Sequence, residues 1–219
     1  MPAAIFDWDG VIIDSHDQHA GSWEMLAAEQ GSELPADFFK SSFGMRNESI
    51  FPMFFSSWVD PADTRRIAQL ADRKEELYRE LVRRDGIAPL PGVVALLESL
   101  ARAGIPCSVG SSTPRANIDA IMDIIGLGDR FQAITAAEDV TEGKPDPQVF
   151  LLAAAKVGAS PAESVVFEDA HVGIAAGLAA GMKVIAVATT HPIESLGEAH
   201  LAVESLEGVD AATLGELLG

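Results

Sequence analysis

The sequence predicts an α/β protein: a doubly wound parallel sheet interrupted after its first strand by a small all-helical domain. Three observations predict this. Short apolar runs end abruptly in acidic or hydroxyl-bearing residues. Helical stretches separate most of those runs at the spacing of βαβ units. Between residues 15 and 86 the pattern is helical, with no strand signal standing out.

Ala3–Phe6 is the first apolar run, and its stop at Asp7 marks a buried strand whose carboxyl end carries chemistry. Residues 15–30 follow as a helix with Trp23, Leu26, Ala27 and Gln30 on one stripe. A long, heavily charged helix or helix pair spans 61–84, with Ile67, Leu70, Leu77 and Leu81 as its apolar positions. The segment Ile87-Ala88-Pro89-Leu90-Pro91-Gly92 reads as the return linker. This divides the chain into a core of residues 1–14 and 87–219 and a helical insert of residues 15–86. In the core, helices are expected at 92–103, 114–125, 147–157 and 171–180. Strands are expected at 106–110, 164–167 and Lys183–Val187, which stop at Ser111-Ser112-Thr113, Glu168-Asp169 and Ala188-Thr189-Thr190. Ligands of such sheets gather at the carboxyl ends of the strands, where these polar residues fall.

Composition narrows the function. Of 219 residues 48% are hydrophobic and 22% charged, enough to build a core, and with 6% aromatics Ala, Leu, Val and Ile must fill most of it. Lys and Arg total 15 against 33 Asp and Glu, a net charge of −18. That balance argues against nucleic acid and anionic membranes as partners, since both demand a cationic face. Cys107 is the only cysteine, so no internal disulfide forms and a reducing compartment is expected. The opening Met1-Pro2-Ala3-Ala4 has no basic region, and no window approaches the ~18 apolar residues of a membrane span. A cytoplasmic protein is expected, acting as a monomer or weak homodimer.

Four signals carry the chemistry. Asp7-Trp8-Asp9-Gly10 puts two carboxylates at a strand end, both able to face one ligand because Gly10 lets the chain turn. Such acids repel unless a cation lies between them, and Asp7 could then attack phosphorus while Asp9 moves a proton. An Asx-type cap or surface turn is the other reading of this motif. Glu168-Asp169 is a second acidic pair after apolar Val165-Val166-Phe167; it suits magnesium, or else Asp169 simply caps the next helix. Ser111, Ser112 and Thr113 precede Pro114, with Thr113 suited to the N-cap and Pro114 to the first turn, so hydroxyls and free N–H groups there could bind phosphate. Lys144, in Gly143-Lys144-Pro145, could bring a cation to the same anion; it is not a P-loop lysine, because the flanking residues are wrong.

In order and setting these signals resemble the four motifs of the haloacid dehalogenase-like superfamily, over essentially the whole chain. Asp7 and Asp9 match the DxD motif, Ser111 the Ser/Thr motif, Lys144 the lysine motif, and Glu168 with Asp169 the acidic motif. The resemblance implies a Rossmann-like core and a cap inserted after the first motif. It also implies a phosphoaspartate on Asp7 and Mg2+ held by Asp7, Asp9, Glu168 and Asp169, with Asp9 contributing a backbone carbonyl. Dehalogenating members lack the second Asp, so Asp9 points to phosphoryl transfer. Signalling receiver domains share a phosphorylated Asp with a Ser/Thr and a Lys, but this chain's length and its insert disfavour them.

In the insert, Ser15, His19 and Trp23 recur every four residues and share one helix face. Trp23 reads as packing. The pattern of His19, Trp23, Gly44, Arg46, Ser49 and Arg73-Lys74 resembles the caps of sugar phosphatases and β-phosphoglucomutases. That resemblance implies substrate contacts from His19, Arg46 and Lys74, and a small phosphorylated sugar or related metabolite as substrate. A phosphatase is expected, with a hexose-phosphate mutase as the alternative.

Overall fold

The computed structural model describes residues 2–42 and 47–219. In chain order it runs β1 (Ala3–Phe6), α1 (His16–Glu29), α2 (Phe38–Ser42), α3 (Asn47–Phe54), α4 (Thr64–Asp85), α5 (Val93–Arg102), β2 (Cys107–Gly110), α6 (Arg115–Ile125), β3 (Ala133–Thr135), α7 (Gln148–Lys156), β4 (Ser164–Glu168), α8 (His171–Ala179), β5 (Lys183–Val187), β6 (Leu201–Val203) and α9 (Ala211–Leu218). Short 3₁₀ turns punctuate the second half. The chain separates into two compact units, Met1–Asp14 with Ile87–Gly219, and Ser15–Gly86.

The first unit is built on a six-stranded, wholly parallel sheet in the order β3-β2-β1-β4-β5-β6. β1 sits inside it, paired with β2 through Ala4↔Cys107 and with β4 through Ala3↔Ser164. Ile5, Val166, Val184 and Ala186 turn to one face, where Val149, Phe150 and Ala153 of α7 and Ile174 and Ala176 of α8 cover them. Phe6 turns the other way, stacked on Phe167 at 4.5 Å with Phe131 edge-on at 5.8 Å. With both faces covered, the central strands are continuously buried, and hence carry consecutive apolar residues, Ala3–Phe6 in β1 and 165–167 in β4, rather than alternate ones.

The expected strands and helices of this unit appear, with three additions. β3 and β6 are three-residue edge strands, and α9 begins at Asp210, whose carboxylate accepts the N–H groups of Ala212 and Thr213. The second unit is all-helical among its described residues. α1 packs on α4, which begins three residues later than the sequence suggested because Asp63 caps it, accepting from Arg66 N at 2.9 Å. Its core is aromatic: Trp23 lies 5.2 Å from Phe38 and 5.6 Å from Phe55, among Leu26, Ile50 and Leu70. The run at 47–54, unassigned from sequence, forms α3. Among the described residues no helix is long and apolar enough to cross a membrane.

Candidate active site

Because β1, β2, β4 and β5 are adjacent and parallel, the residues that follow them fall at one edge of the sheet. Asp7 extends the β1 ladder, its N–H donating to Phe167 O at 2.9 Å. The chain then turns, with Ile12 N bonded to Trp8 O and Gly10 N to Ile13 O. Gly10 has φ +81°, and a Cβ there would fall on the Asp169 carboxylate. Glycine is required for the turn and for the approach of the second acidic pair. Gly173 does the same for Glu168, whose carboxylate occupies the place of the missing side chain.

Lys144 binds the acids together. Its ammonium donates to Asp7 Oδ1 at 2.7 Å and to Glu168 Oε1 at 2.6 Å, and lies 4.8 Å from the centre of the Phe150 ring. Glu168 Oε2 accepts the N–H groups of Asp169 and Ala170, both at 2.7 Å. Both of its oxygens are thereby engaged. Asp169 Oδ2 accepts the hydroxyl of Thr190, and Asp9 Oδ2 accepts the hydroxyl of Thr113.

Burial governs the electrostatics. It pushes the Asp7 carboxyl up to about 7, with Glu168 and Asp9 pushing the same way and Lys144 opposing them. Asp169 is raised well above the usual aspartate range, by burial first and then by Glu168 and Asp7. Burial alone would lower Lys144, but its two carboxylate partners outweigh that and hold it firmly protonated. In the absence of a divalent cation the folded chain therefore holds protons on this cluster that the unfolded chain releases near 3.8. Between pH 3.8 and about 7 the native state binds more protons, so stability falls as pH rises through that window and levels off above it. Thermal unfolding in EDTA should show this fall, of order 2–4 kcal/mol from Asp7, and Asp7→Asn should flatten it.

The same cluster suits a hard divalent cation. Ligand oxygens of Asp7, Glu168 and Asp169 lie within 4.8 Å of one another, all three residues are buried, and such a cation would offset both the burial and the mutual repulsion that raise Asp7 and Asp169. Asp9 lies outside this group of carboxylates, and Glu168 is tied to Lys144 and the backbone. Asp7 and Asp169 are the side chains best placed to bind the ion directly.

Several expectations change. Thr113 does not cap α6: the helix begins at Arg115 with Pro114 at its N-cap, and the Thr113 hydroxyl goes to Asp9. The first N–H of α6 is also occupied, with Arg115 N donating to the Glu138 carboxylate at 3.1 Å. Asp169 does not cap α8, whose N-cap is Ala170. Ser111 is buried and its Oγ accepts Thr113 N at 3.1 Å, while Ser112 is exposed. In the second unit the Lys74 side chain is held by other protein groups. It is buried, 2.7 Å from His19 Nδ1 and 3.0 Å from Glu75 Oε1, and Glu75 also accepts Asn47 Nδ2 at 2.6 Å. An ammonium donating to Nδ1 leaves the ring proton of a neutral His19 on Nε2, and the ring stacks on Tyr78 at 4.2 Å. Arg46 lies outside the described residues. Sequence reasoning passed over Thr190, whose place in the polar stop after β5 was its signal, and the neighbouring rings of His171 and His191, 4.6 Å apart.

A model of the haloacid dehalogenase-like hydrolase family matches residues 1–181. Hexitol phosphatase A of Escherichia coli (strain K12) is 35% identical over 205 residues, 94% of this chain and 91% of that protein. The chloroplastic 5-amino-6-(5-phospho-D-ribitylamino)uracil phosphatase of Arabidopsis thaliana is 36% identical over 217 residues, 98% of this chain; this chain spans 57% of that relative's length. A solved structure of β-phosphoglucomutase from Clostridium difficile superposes with a TM-score of 0.85 at 26% identity, over 100% of this chain and 97% of that one.

Proposed function

The chain belongs to the haloacid dehalogenase-like hydrolase family, and from that premise we propose that it is a magnesium-dependent phosphatase of a small phosphorylated sugar or related metabolite, with Asp7 as its nucleophile. One observation carries the reading: Asp7 stands at the end of β1 with Lys144 on one oxygen, and a second acid follows two residues later, tied to Thr113.

In the proposed reaction Asp7 attacks phosphorus and the ester oxygen leaves with a proton from Asp9, giving a phosphoaspartate and a free hydroxyl. Asp9, now a carboxylate, takes a proton from water as that water attacks phosphorus; phosphate leaves and Asp7 is regenerated. Lys144 offsets charge on Asp7 and Glu168 throughout, and Ser111 and Ser112, which follow β2, are proposed to bind the phosphoryl oxygens. A magnesium ion held chiefly by Asp7 and Asp169 would neutralise charge on the phosphoryl oxygens. The Ser15–Gly86 unit is proposed to select the substrate through His19 and Arg46, with Lys74 fixing the His19 ring.

Asp9→Asn should lower kcat on the order of 10²–10⁴-fold, the scale of general acid–base help, with the fold retained. Steady-state assays beside circular dichroism check this.

The similarity to a β-phosphoglucomutase favours one second reading, in which the phosphoryl group returns to a sugar hydroxyl rather than to water. A panel of phosphorylated sugars, followed for both phosphate release and isomer formation, separates the two. Phosphate should accumulate, cease after EDTA treatment and resume with Mg2+. Conversion of β-glucose 1-phosphate to glucose 6-phosphate with little phosphate released, after priming by a bisphosphate, would establish the mutase instead. Full activity in EDTA would overturn the metal dependence.

A further inference from the structure

Two threonines from different loops each donate a hydroxyl to one acid of the site, and neither serves the local backbone role that its position suggests. Thr113 follows β2 and precedes α6, yet α6 is capped by Pro114 and its first N–H is met by Glu138. Thr190 follows β5 and precedes a 3₁₀ turn whose N-cap is Pro192. Their hydroxyls instead reach Asp9 Oδ2 and Asp169 Oδ2. We propose that Thr113 and Thr190 are positioning residues, Thr113 aiming Asp9 for proton transfer and Thr190 aiming Asp169 toward the cation. This rests on the function proposed above.

The reason is torsional. The terminal torsion of an aspartate is broad, so without a donor the carboxylate plane wanders. One hydrogen bond to one oxygen fixes that plane and with it the direction of the other oxygen. Lys144 does this for Asp7, and Lys144 with two backbone N–H groups does it for Glu168. Asp9 and Asp169 each take one donor from a threonine. Threonine suits the task because its β-branch stiffens χ1. The Thr113 backbone is also anchored at both ends, its N–H to Ser111 Oγ and its carbonyl to Ala137 N. Thr190 follows a segment tied to β6 by Ala188 N and Val203 O at 2.8 Å.

The test is a double dissociation on the full chain, using Thr→Val, Thr→Ser and Thr→Ala at each position. Mg2+ affinity is measured by calorimetry without substrate, and kcat and KM at saturating Mg2+. Thr190→Val should weaken Mg2+ binding about 10–100-fold, as losing a residue that orients a ligand does, and Thr190→Ser should restore most of it. Thr113→Val should leave Mg2+ affinity within about twofold and lower kcat about 10-fold or more with little change in KM; Thr113→Ser should recover it. The alanine variants stand in where a valine variant does not fold. Unchanged Mg2+ affinity in Thr190→Val, unchanged kcat in Thr113→Val, or serine variants as impaired as the valine ones would overturn the assignment. A wild type that binds Mg2+ but turns over no sugar phosphate would overturn the function, and the calorimetry would still decide the role of Thr190.

Discussion

Asp7→Asn is expected to lower turnover by on the order of 10⁴–10⁶-fold, the scale of removing a covalent nucleophile, while the protein folds as before. Asparagine has nearly the shape of aspartate and keeps an oxygen for the Lys144 ammonium, so the contact at 2.7 Å survives. What disappears is the charge and the nucleophilic oxygen. Burial already pushes the Asp7 carboxyl up to about 7, so a neutral side chain costs the fold little and should raise metal-free stability above neutral pH by up to the ~2–4 kcal/mol lost when Asp7 ionises. Rapid quenching of the wild type during turnover should yield a chain heavier by one phosphoryl group, with the label on the peptide containing Asp7; the variant should carry none. Near-normal turnover by the variant would refute Asp7 as the nucleophile.

Lys144→Ala should be the costliest single change to stability within the site. It leaves Asp7 and Glu168 facing each other with no cation between them, and the Glu168 side chain is 1% exposed. Removing one partner of a buried ion pair costs about 3–5 kcal/mol, which in a chain of this size lowers Tm by roughly 10 °C. The loss should be greatest above neutral pH and smallest in acid, where the orphaned carboxylates take up protons. Activity should fall too, because the ammonium that holds one oxygen of Asp7 in place and offsets its charge is gone. Lys144→Arg should not rescue it, since a planar guanidinium cannot replace a compact ammonium 2.7 and 2.6 Å from two acids. Thermal melts at pH 5 and pH 8, with and without Mg2+, measure each part; equal Tm for variant and wild type at pH 8 would contradict the account.

How much of this was legible in the sequence follows from burial. β1, β2, β4 and β5 lie inside the sheet, so they show as short, mainly apolar runs, and the polar residues that stop them mark the functional edge. β3 and β6 are edge strands of three residues, partly exposed, and give too short a run to stand out. α9 went unread although Asp210 and Thr213 form a capping box at its start. Among site residues, acids at strand ends announce themselves by being costly after an apolar run. The partner each acid takes does not. Lys144 is 137 residues from Asp7 and Thr113 is 104 from Asp9, and only the sheet order brings them together. Thr113 shows the limit well: its position before Pro114 spells an N-cap, and the competing claim of a distant carboxylate is invisible until the fold is known.

The two connectors of the insert leave the sheet unit side by side, with Ile13 bridged to Pro89 and Leu90 N bonded to Ile12 O at 2.9 Å. To the sheet, the whole of Ser15–Gly86 is therefore a loop whose ends are already pinned. Closing β1 onto β2 spans about 100 residues with the insert and about 30 without it; because loop-closure entropy grows only with the logarithm of length, the difference is about 1 kcal/mol. A domain with its own aromatic core is thus inserted in the chain at the entropic cost of a modest loop extension. The sheet's strand pairing is indifferent to what that loop contains, so the insert can diverge in sequence, size or shape without disturbing the acids at the end of β1.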